Sequence, residues 1–311
     1  MRVVGVTEFG GPEQLGVHEV PDPAPGHGQV CLRVQAAAVS PTDTHLRAGT
    51  YGDMGFPPPW IPGMDAAGTV LSIGEGTPYH VGQELMAIAA PRAGEGHGGA
   101  YVEQLVGPWQ SMAPIPAGTD VVQASTLPMN GLTALQALEK LNLTAGETLL
   151  VSGAAGALGT YIVSLAANAG LTVVADAADA DAEAVRASGA AHVVQRGEGL
   201  PDRVRALFRD GVDAVVDTAV LDASLVPAVR DGGGFATVRF WDGEPGRDIV
   251  MHTVRVVDEY RSYDKLARLG QLVEDGVLQL RVAGTYPMQQ AAAAHTRLAA
   301  GGVRGRLVLV F

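Results

Sequence analysis

The segment Leu149-Leu-Val-Ser-Gly-Ala-Ala-Gly-Ala-Leu-Gly159, continued by Thr160-Tyr-Ile-Val-Ser-Leu-Ala-Ala-Asn-Ala-Gly170, carries the strongest structural signal in the chain. An apolar run stops at a glycine-rich turn and an amphipathic helix begins at once. That order is the strand–turn–helix that grips a dinucleotide, with helix-start N–H groups facing a negative ligand. Ala154 stands where the first glycine of the usual GxGxxG falls. Gly156 lets the backbone approach a pyrophosphate, and Gly159 lets the helix pack closely on the strand. Gly153, Ala154, Gly156, Ala157, Leu158 and Gly159 are therefore the candidate cradle.

Outward from this turn the texture is that of alternating strands and helices. Strands are predicted over 148–151, 171–175, 192–195, 212–218, 235–238 and 250–256, with helices over 179–188 and 202–208. Six buried strands with crossover helices make a doubly wound Rossmann sheet. Residues 1 to about 118 instead show short alternating runs cut by Gly and Pro, at 17–20, 30–36, 68–73 and 84–88. These read as a partly closed β-barrel. The tail is mixed, with helices predicted over 263–274 and 289–299 and a last strand over 307–311. The fold class is α/β with a β-rich partner domain.

Asp176 lies twenty residues beyond Gly156, at the end of the second strand of the sheet. A carboxylate there can accept hydrogen bonds from an adenosine ribose, or it can be a helix cap or solvated acid. Asp179, Asp181 and Glu183 follow, with no Lys or Arg before Arg186. A ribose 2′-phosphate would meet like charge, which favours NADH over NADPH. Arg196 is the one nearby cation that could reverse this.

The 311 residues suffice for two domains. With 47% apolar and 17% charged residues the chain is compact rather than disordered. A net charge of −12 without a Lys/Arg cluster argues against nucleic acid and anionic membranes. No apolar stretch reaches spanning length, and the N-terminus lacks an apolar signal region, so a cytoplasmic protein is expected. Cys31 is the single cysteine, so no internal disulfide is expected. No zinc is expected either, because ligand types do not cluster. His45 with Asp65 supplies two ligands at most, and His97 reads as a loop residue.

Several stretches together resemble the zinc-independent medium-chain dehydrogenase/reductase superfamily, in its quinone oxidoreductase and enoyl reductase branch. They include Phe9-Gly-Gly-Pro-Glu13, Val39-Ser-Pro-Thr-Asp-Thr-His-Leu-Arg-Ala-Gly49, Ile61-Pro-Gly-Met-Asp-Ala-Ala-Gly-Thr-Val70, Gly98-Gly-Ala-Tyr-Val-Glu103, Asn130-Gly-Leu-Thr-Ala-Leu-Gln-Ala-Leu138 and Gly211-Val-Asp-Ala-Val-Val-Asp-Thr218. Zinc-using relatives carry a Gly-His-Glu ligand motif where Gly63-Met64-Asp65 stands, and a cysteine near Ser40. The resemblance implies a GroES-like catalytic domain from residues 1–120 and 260–311. It also implies a Rossmann cofactor domain over 121–259, a cleft site between the two, and a homodimer joined at the sixth strand.

It further implies roles. Thr133 would touch the nicotinamide end, or else cap a helix start. Phe240 and Trp241 would lie near the nicotinamide, or else pack in the interior. Tyr51 matches a proton-donating tyrosine, or else walls the pocket. Asn is common in the family where Ser40 stands, and Tyr where His45 stands. His45 could relay a proton with Asp43 holding its ring, or simply line the cleft. Asp43 and Arg47 could pair to brace the loop. The expected activity is NAD(P)H-dependent hydride transfer to a small-molecule carbonyl, quinone or enoyl acceptor. The alternatives are a cofactor-binding redox sensor or scaffold with little turnover, and a biosynthetic, polyketide-type enoyl reductase.

Overall fold

The computed structural model describes residues 1–52, 54–91 and 98–311. The chain forms two compact units. The first comprises Met1–Met129, Val257–Gly276 and Leu280–Phe311; the second comprises Asn130–Val256 and Val277–Gln279. In chain order the first unit opens with β1 (Arg2–Gly5), β2 (Gly16–Glu19), β3 (Gln29–Val39), α1 (Pro41–Arg47), β4 (Asp65–Ile73), β5 (Glu84–Ile88), β6 (Gln104–Pro108), β7 (Met112–Pro114) and α2 (Val121–Ala124). Next come α3 (Pro128–Leu141), β8 (Thr148–Ser152), α4 (Ala157–Asn168), β9 (Thr172–Ala177), α5 (Ala182–Ala187), β10 (His192–Gln195), α6 (Leu200–Leu207), β11 (Val212–Asp217), β12 (Val229–Thr237) and β13 (Val250–Thr253). The chain closes with α7 (Tyr263–Glu274), β14 (Val282–Pro287), α8 (Ala291–Ala299) and β15 (Arg306–Val310). None of the described helices is long and apolar enough to cross a membrane.

The sheet of the first unit runs β14-β15-β3-β4-β5-β7, with β6 also on β3. Strand β3 organises it. Its two register shifts against β4 bend it, so its first half pairs with β6 and its second half with β15. Gly68 lets β4 pass that close, because a Cβ there would lie 2.0 Å from the Arg33 carbonyl oxygen. Leu32, Leu85, Tyr101, Met112, Leu307 and Leu309 fill the interior. Cys31 is buried and free.

In the second unit six parallel strands run β10-β9-β8-β11-β12-β13. Continuous apolar runs such as Leu149–Val151 suit strands covered on both faces. The order reverses between β8 and β11, the point where ligands of such sheets bind, beyond the carboxyl ends of the strands. The six predicted strands are all present. Strand β12 starts at Val229 rather than 235, because Gly232-Gly233-Gly234 masks its pattern in the sequence.

One ion pair ties the two ends of the chain together in the first unit. Arg306, opening β15, donates to Asp65, opening β4, at 2.7 Å, and both side chains are buried. Asp65 also accepts from the Met129 N–H at 2.6 Å. Removing one partner of a buried pair strands the other charge. Asp65→Asn is therefore expected to cost about 3–5 kcal/mol in urea denaturation, while the Asp65→Leu/Arg306→Met double variant recovers most of it. A single variant as stable as the parent would refute this.

Candidate active site

The strands around the reversal end in a polar row. Ser152 pairs with Asp217, Asp217 with Thr237, and Thr237 with Thr253; Asp176 is the penultimate residue of β9, which pairs with β8 on its other side. Two carboxylates of this row hold the turns that follow. Asp176 Oδ1 accepts from the N–H of Gly153 at 2.6 Å and of Ala154 at 3.3 Å. Asp217 accepts from the Ser152 hydroxyl at 2.5 Å and from the N–H groups of Ala219, Leu221 and Asp222. The Ser152 oxygen in turn accepts from the N–H groups of Thr218 and Ala219.

The glycine turn itself follows from this. Gly153 adopts φ +66°, and Gly156 caps α4 with extended backbone. The Thr160 N–H bonds to the Gly156 carbonyl, so the N–H groups of Ala157, Leu158 and Gly159 are the first-turn donors left without an intrahelical acceptor. They sit at the positive end of a twelve-residue helix. Their chemistry fits a pyrophosphate, and Gly156 presents no side chain in front of them.

The structure places the other expected ligands unevenly. Asp176 is only 3% exposed, and its carboxyl is turned to the glycine turn rather than outward. The sequence reading assigns this carboxylate to a ribose; in the structure it accepts from the N–H groups of the turn. Burial raises its pKa, and the two N–H donors work against that rise. Arg196 is exposed and its backbone N–H bonds to the Ala177 carbonyl, so it stands at the end of β9. Thr133 lies in the second turn of α3 and is buried, so it is not a helix cap. Phe240 is 84% exposed, which excludes interior packing, whereas Trp241 packs on Phe235 at 5.4 Å. Ser152 and Asp217 were missed by sequence reasoning, although each is the polar last residue of an apolar strand.

In the first unit the loop after α1 carries Tyr51. Its ring lies 6.3 Å from that of His45, tilted by 58°, and both residues are half-buried. Ser40 is 0% exposed, and its hydroxyl accepts from Arg306 at 2.6 Å. Asp43 does not hold His45, nor does it pair with Arg47. It accepts from the N–H groups of Ser40 at 2.7 Å and Gly63 at 3.0 Å, and from the Tyr101 hydroxyl at 3.1 Å. Arg47 instead reaches the Gly10 carbonyl and His295 Nδ1.

The proton order of this chain is fixed by its ends. Arginine only donates, so His295 Nδ1 accepts, and its Nε2–H donates to the Tyr101 oxygen 3.1 Å away. Tyr101 then donates to Asp43. Burial pushes Asp43 up to about 7 and His295 down to about 3. Among the described residues no three His, Cys, Asp or Glu side chains gather as a metal set; His97 lies outside them. Asp65, weighed as a zinc ligand beside His45, is held by Arg306.

Residues 26–117 match the alcohol dehydrogenase GroES-like domain family, and residues 188–309 match the zinc-binding dehydrogenase family. The chain is 27% identical to the quinone oxidoreductase of Rattus norvegicus over 330 residues, covering 100% of this chain and 98% of the relative. It is 31% identical to an NAD-dependent alcohol dehydrogenase of Saccharolobus solfataricus over 248 residues, covering 70% and 71%. A mycobacterial protein solved in complex with NADPH superposes with a TM-score of 0.88, at 27% identity, with all of both chains covered.

Two measurements test the geometry. A Cβ on Gly159 would fall 2.3 Å from the Gly153 carbonyl oxygen, whereas one on Gly156 would lie 3.1 Å from it. Gly159→Ala is expected to destabilise by about 1–3 kcal/mol and Gly156→Ala by less than about 1. Equal losses in chemical denaturation would contradict the packing argument.

The second concerns acid. His295 is neutral in the fold but takes a proton below its unfolded value of 6.5, so its contribution is lost as pH falls from 6.5 toward 3. His295→Gln removes that loss. The stability gap between parent and variant is expected to shift by about 2 kcal/mol in the variant's favour from pH 7 to pH 5. Asp43 titrates with the opposite sign, but it is present in both proteins and cancels. A gap that does not change with pH would show that His295 titrates in the fold as it does in the unfolded chain.

Proposed function

The chain belongs to the medium-chain dehydrogenase/reductase superfamily, in its quinone oxidoreductase branch, and from that premise we propose a zinc-free reductase that uses NADPH to reduce a quinone or conjugated enone. The observation that carries this reading is the start of α4. Three first-turn backbone donors open α4 behind Gly156, which carries no side chain, beside the reversal of a parallel sheet.

On the sequence alone the acids after β9 favour NADH. Against those acids stands Arg196, whose backbone N–H bonds to the Ala177 carbonyl at that strand end and whose guanidinium is suited to pair with a 2′-phosphate. The mycobacterial relative solved with NADPH supports the same choice. When bound, the nicotinamide supplies the hydride. The first turn of α4 binds the pyrophosphate, with Thr133 and Phe240 toward the nicotinamide end. Tyr51 donates a proton to the reduced acceptor, and His45 at its ring edge sets the orientation of the phenol. Ser40, held in the interior by Arg306, takes no part in the chemistry. The protein works in the cytoplasm as a homodimer paired along β13, an edge strand whose Val250 is 53% exposed. Sedimentation as a monomer would refute that pairing.

The test is nucleotide oxidation with 9,10-phenanthrenequinone and with a simple enone. Arg196→Ala is expected to raise KM for NADPH about tenfold while leaving NADH unchanged. Tyr51→Phe is expected to lower kcat on the enone at least about tenfold. Calorimetry showing that neither nucleotide binds would overturn the reading. An unchanged Tyr51→Phe rate would remove only the proton donor.

A further inference from the structure

Asp176 stands where a dinucleotide-binding sheet usually offers a carboxylate to the adenosine ribose. Three observations give it another task. It is 3% exposed, so it is not presented at a ligand surface. Its Oδ1 takes the N–H groups of both Gly153 and Ala154, the first two residues of the glycine turn. On the other side of the same turn, Asp217 takes the hydroxyl of Ser152, the residue that enters it.

We propose that Asp176 is a positioning residue: it holds the Gly153–Ala154 backbone from one flanking strand while Asp217 holds the Ser152 hydroxyl from the other, setting the α4 donors for the pyrophosphate without touching the cofactor.

The geometry explains why such a clamp is needed. Gly153 is in the left-handed region at φ +66°, and a glycine pivot is the freest link in a chain. Two N–H groups directed onto one short carboxylate remove that freedom before any ligand arrives. The turn is then set by bonds that close within the sheet. Asp217 treats the next loop in the same way. Its carboxyl takes three successive-loop N–H groups around Val220, a β-branched residue at φ 58°, a conformation such residues rarely adopt. Both loops lie at the carboxyl ends of the two strands that flank the sheet reversal.

A consequence for selectivity follows. A carboxylate that binds ribose hydroxyls discriminates NADH from NADPH, because it repels the 2′-phosphate. A carboxylate that only sets the turn acts on the pyrophosphate, which both nucleotides share. Discrimination then passes to residues beyond the clamp, with Arg196 at the end of β9.

This inference rests on the dinucleotide reading above, and its test separates the two. Binding of NADH and NADPH to the full-length protein is measured by calorimetry for the parent, Asp176→Ala and Asp176→Asn, together with KM, kcat and the thermal midpoint. Asp176→Ala is expected to weaken both nucleotides by the same factor, about tenfold, with kcat nearly unchanged. Asp176→Asn keeps an acceptor oxygen for the two N–H groups and is expected to restore binding to within about threefold of the parent. Hydrogen exchange across residues 150–159 without nucleotide should rise in Asp176→Ala and not in Asp176→Asn; this reads the clamp even if Asp176→Ala is less stable. A loss confined to NADH, with NADPH unchanged or tighter, would make Asp176 a ribose ligand and overturn the inference while leaving the dinucleotide reading intact. Equal failure of Ala and Asn variants, with unchanged exchange, would also overturn it. Failure of the parent to bind either nucleotide would overturn the dinucleotide reading itself, and this inference with it.

Discussion

A buried aspartate whose carboxyl accepts backbone N–H groups from a neighbouring turn is the interaction on which both units depend. Asp43 holds the turns at Ser40 and Gly63, and Asp65 the start of α3 at Met129. Asp176 holds the glycine turn, and Asp217 the loop after β11. Each is almost fully buried. An isolated carboxylate would be expelled from such places, so each persists because several donors, or the Arg306 guanidinium, replace the lost water. Aspartate suits the task because its single methylene keeps the carboxyl close to its own backbone. Turns that would otherwise be mobile glycine or proline links thereby become fixed parts of the scaffold.

The same device operates with a charged partner at Asp65 in the first unit. Within Gly63-Met64-Asp65 the structure shows what Asp65 does. It is neutralised by Arg306, which also takes Ser40. Arg306 comes from the last strand and Asp65 from the first third of the chain. The pair therefore links β15 to β4 across β3, with both side chains buried.

Much of this architecture was legible in the sequence, and the exceptions have physical causes. Apolar runs of varied length located all six strands of the parallel sheet, and the glycine turn was placed on the correct strand end. Strand β12 lost its first residues to a glycine run that carries no side-chain pattern. Strands β1, β6, β7 and β14 each contain a Gly or Pro that reads as a break, and helices α1 and α3 begin at prolines that read equally as turns. The candidate site was less legible, because direction is not written in spacing. The interval from Gly156 to Asp176 gives the strand end correctly. Whether the carboxyl points outward to a ribose or sideways to a backbone depends on pairing register, which brings Asp176 beside Ser152. Asp43 is similar. Its neighbours in sequence, His45 and Arg47, suggested partners, but one helical turn turns them to other surfaces, and its true partner Tyr101 is 58 residues away.

A signal for the missed residues was nevertheless present. Ser152, Asp176, Asp217 and Thr237 each end or nearly end an otherwise apolar strand, and parallel strands in register place such endings side by side. A single polar residue at a strand end is unremarkable, since the chain is about to leave the interior. Four on strands of one sheet are a different matter. Each must find partners within a buried row, and the donors nearest to them are the N–H groups of the turns they precede. Strand-end polarity in a doubly wound sheet is therefore a statement about loop geometry. The left-handed Val220 makes the point most directly: a β-branched residue is kept in that conformation only where surrounding bonds over-determine it, and the three N–H groups held by Asp217 supply those bonds.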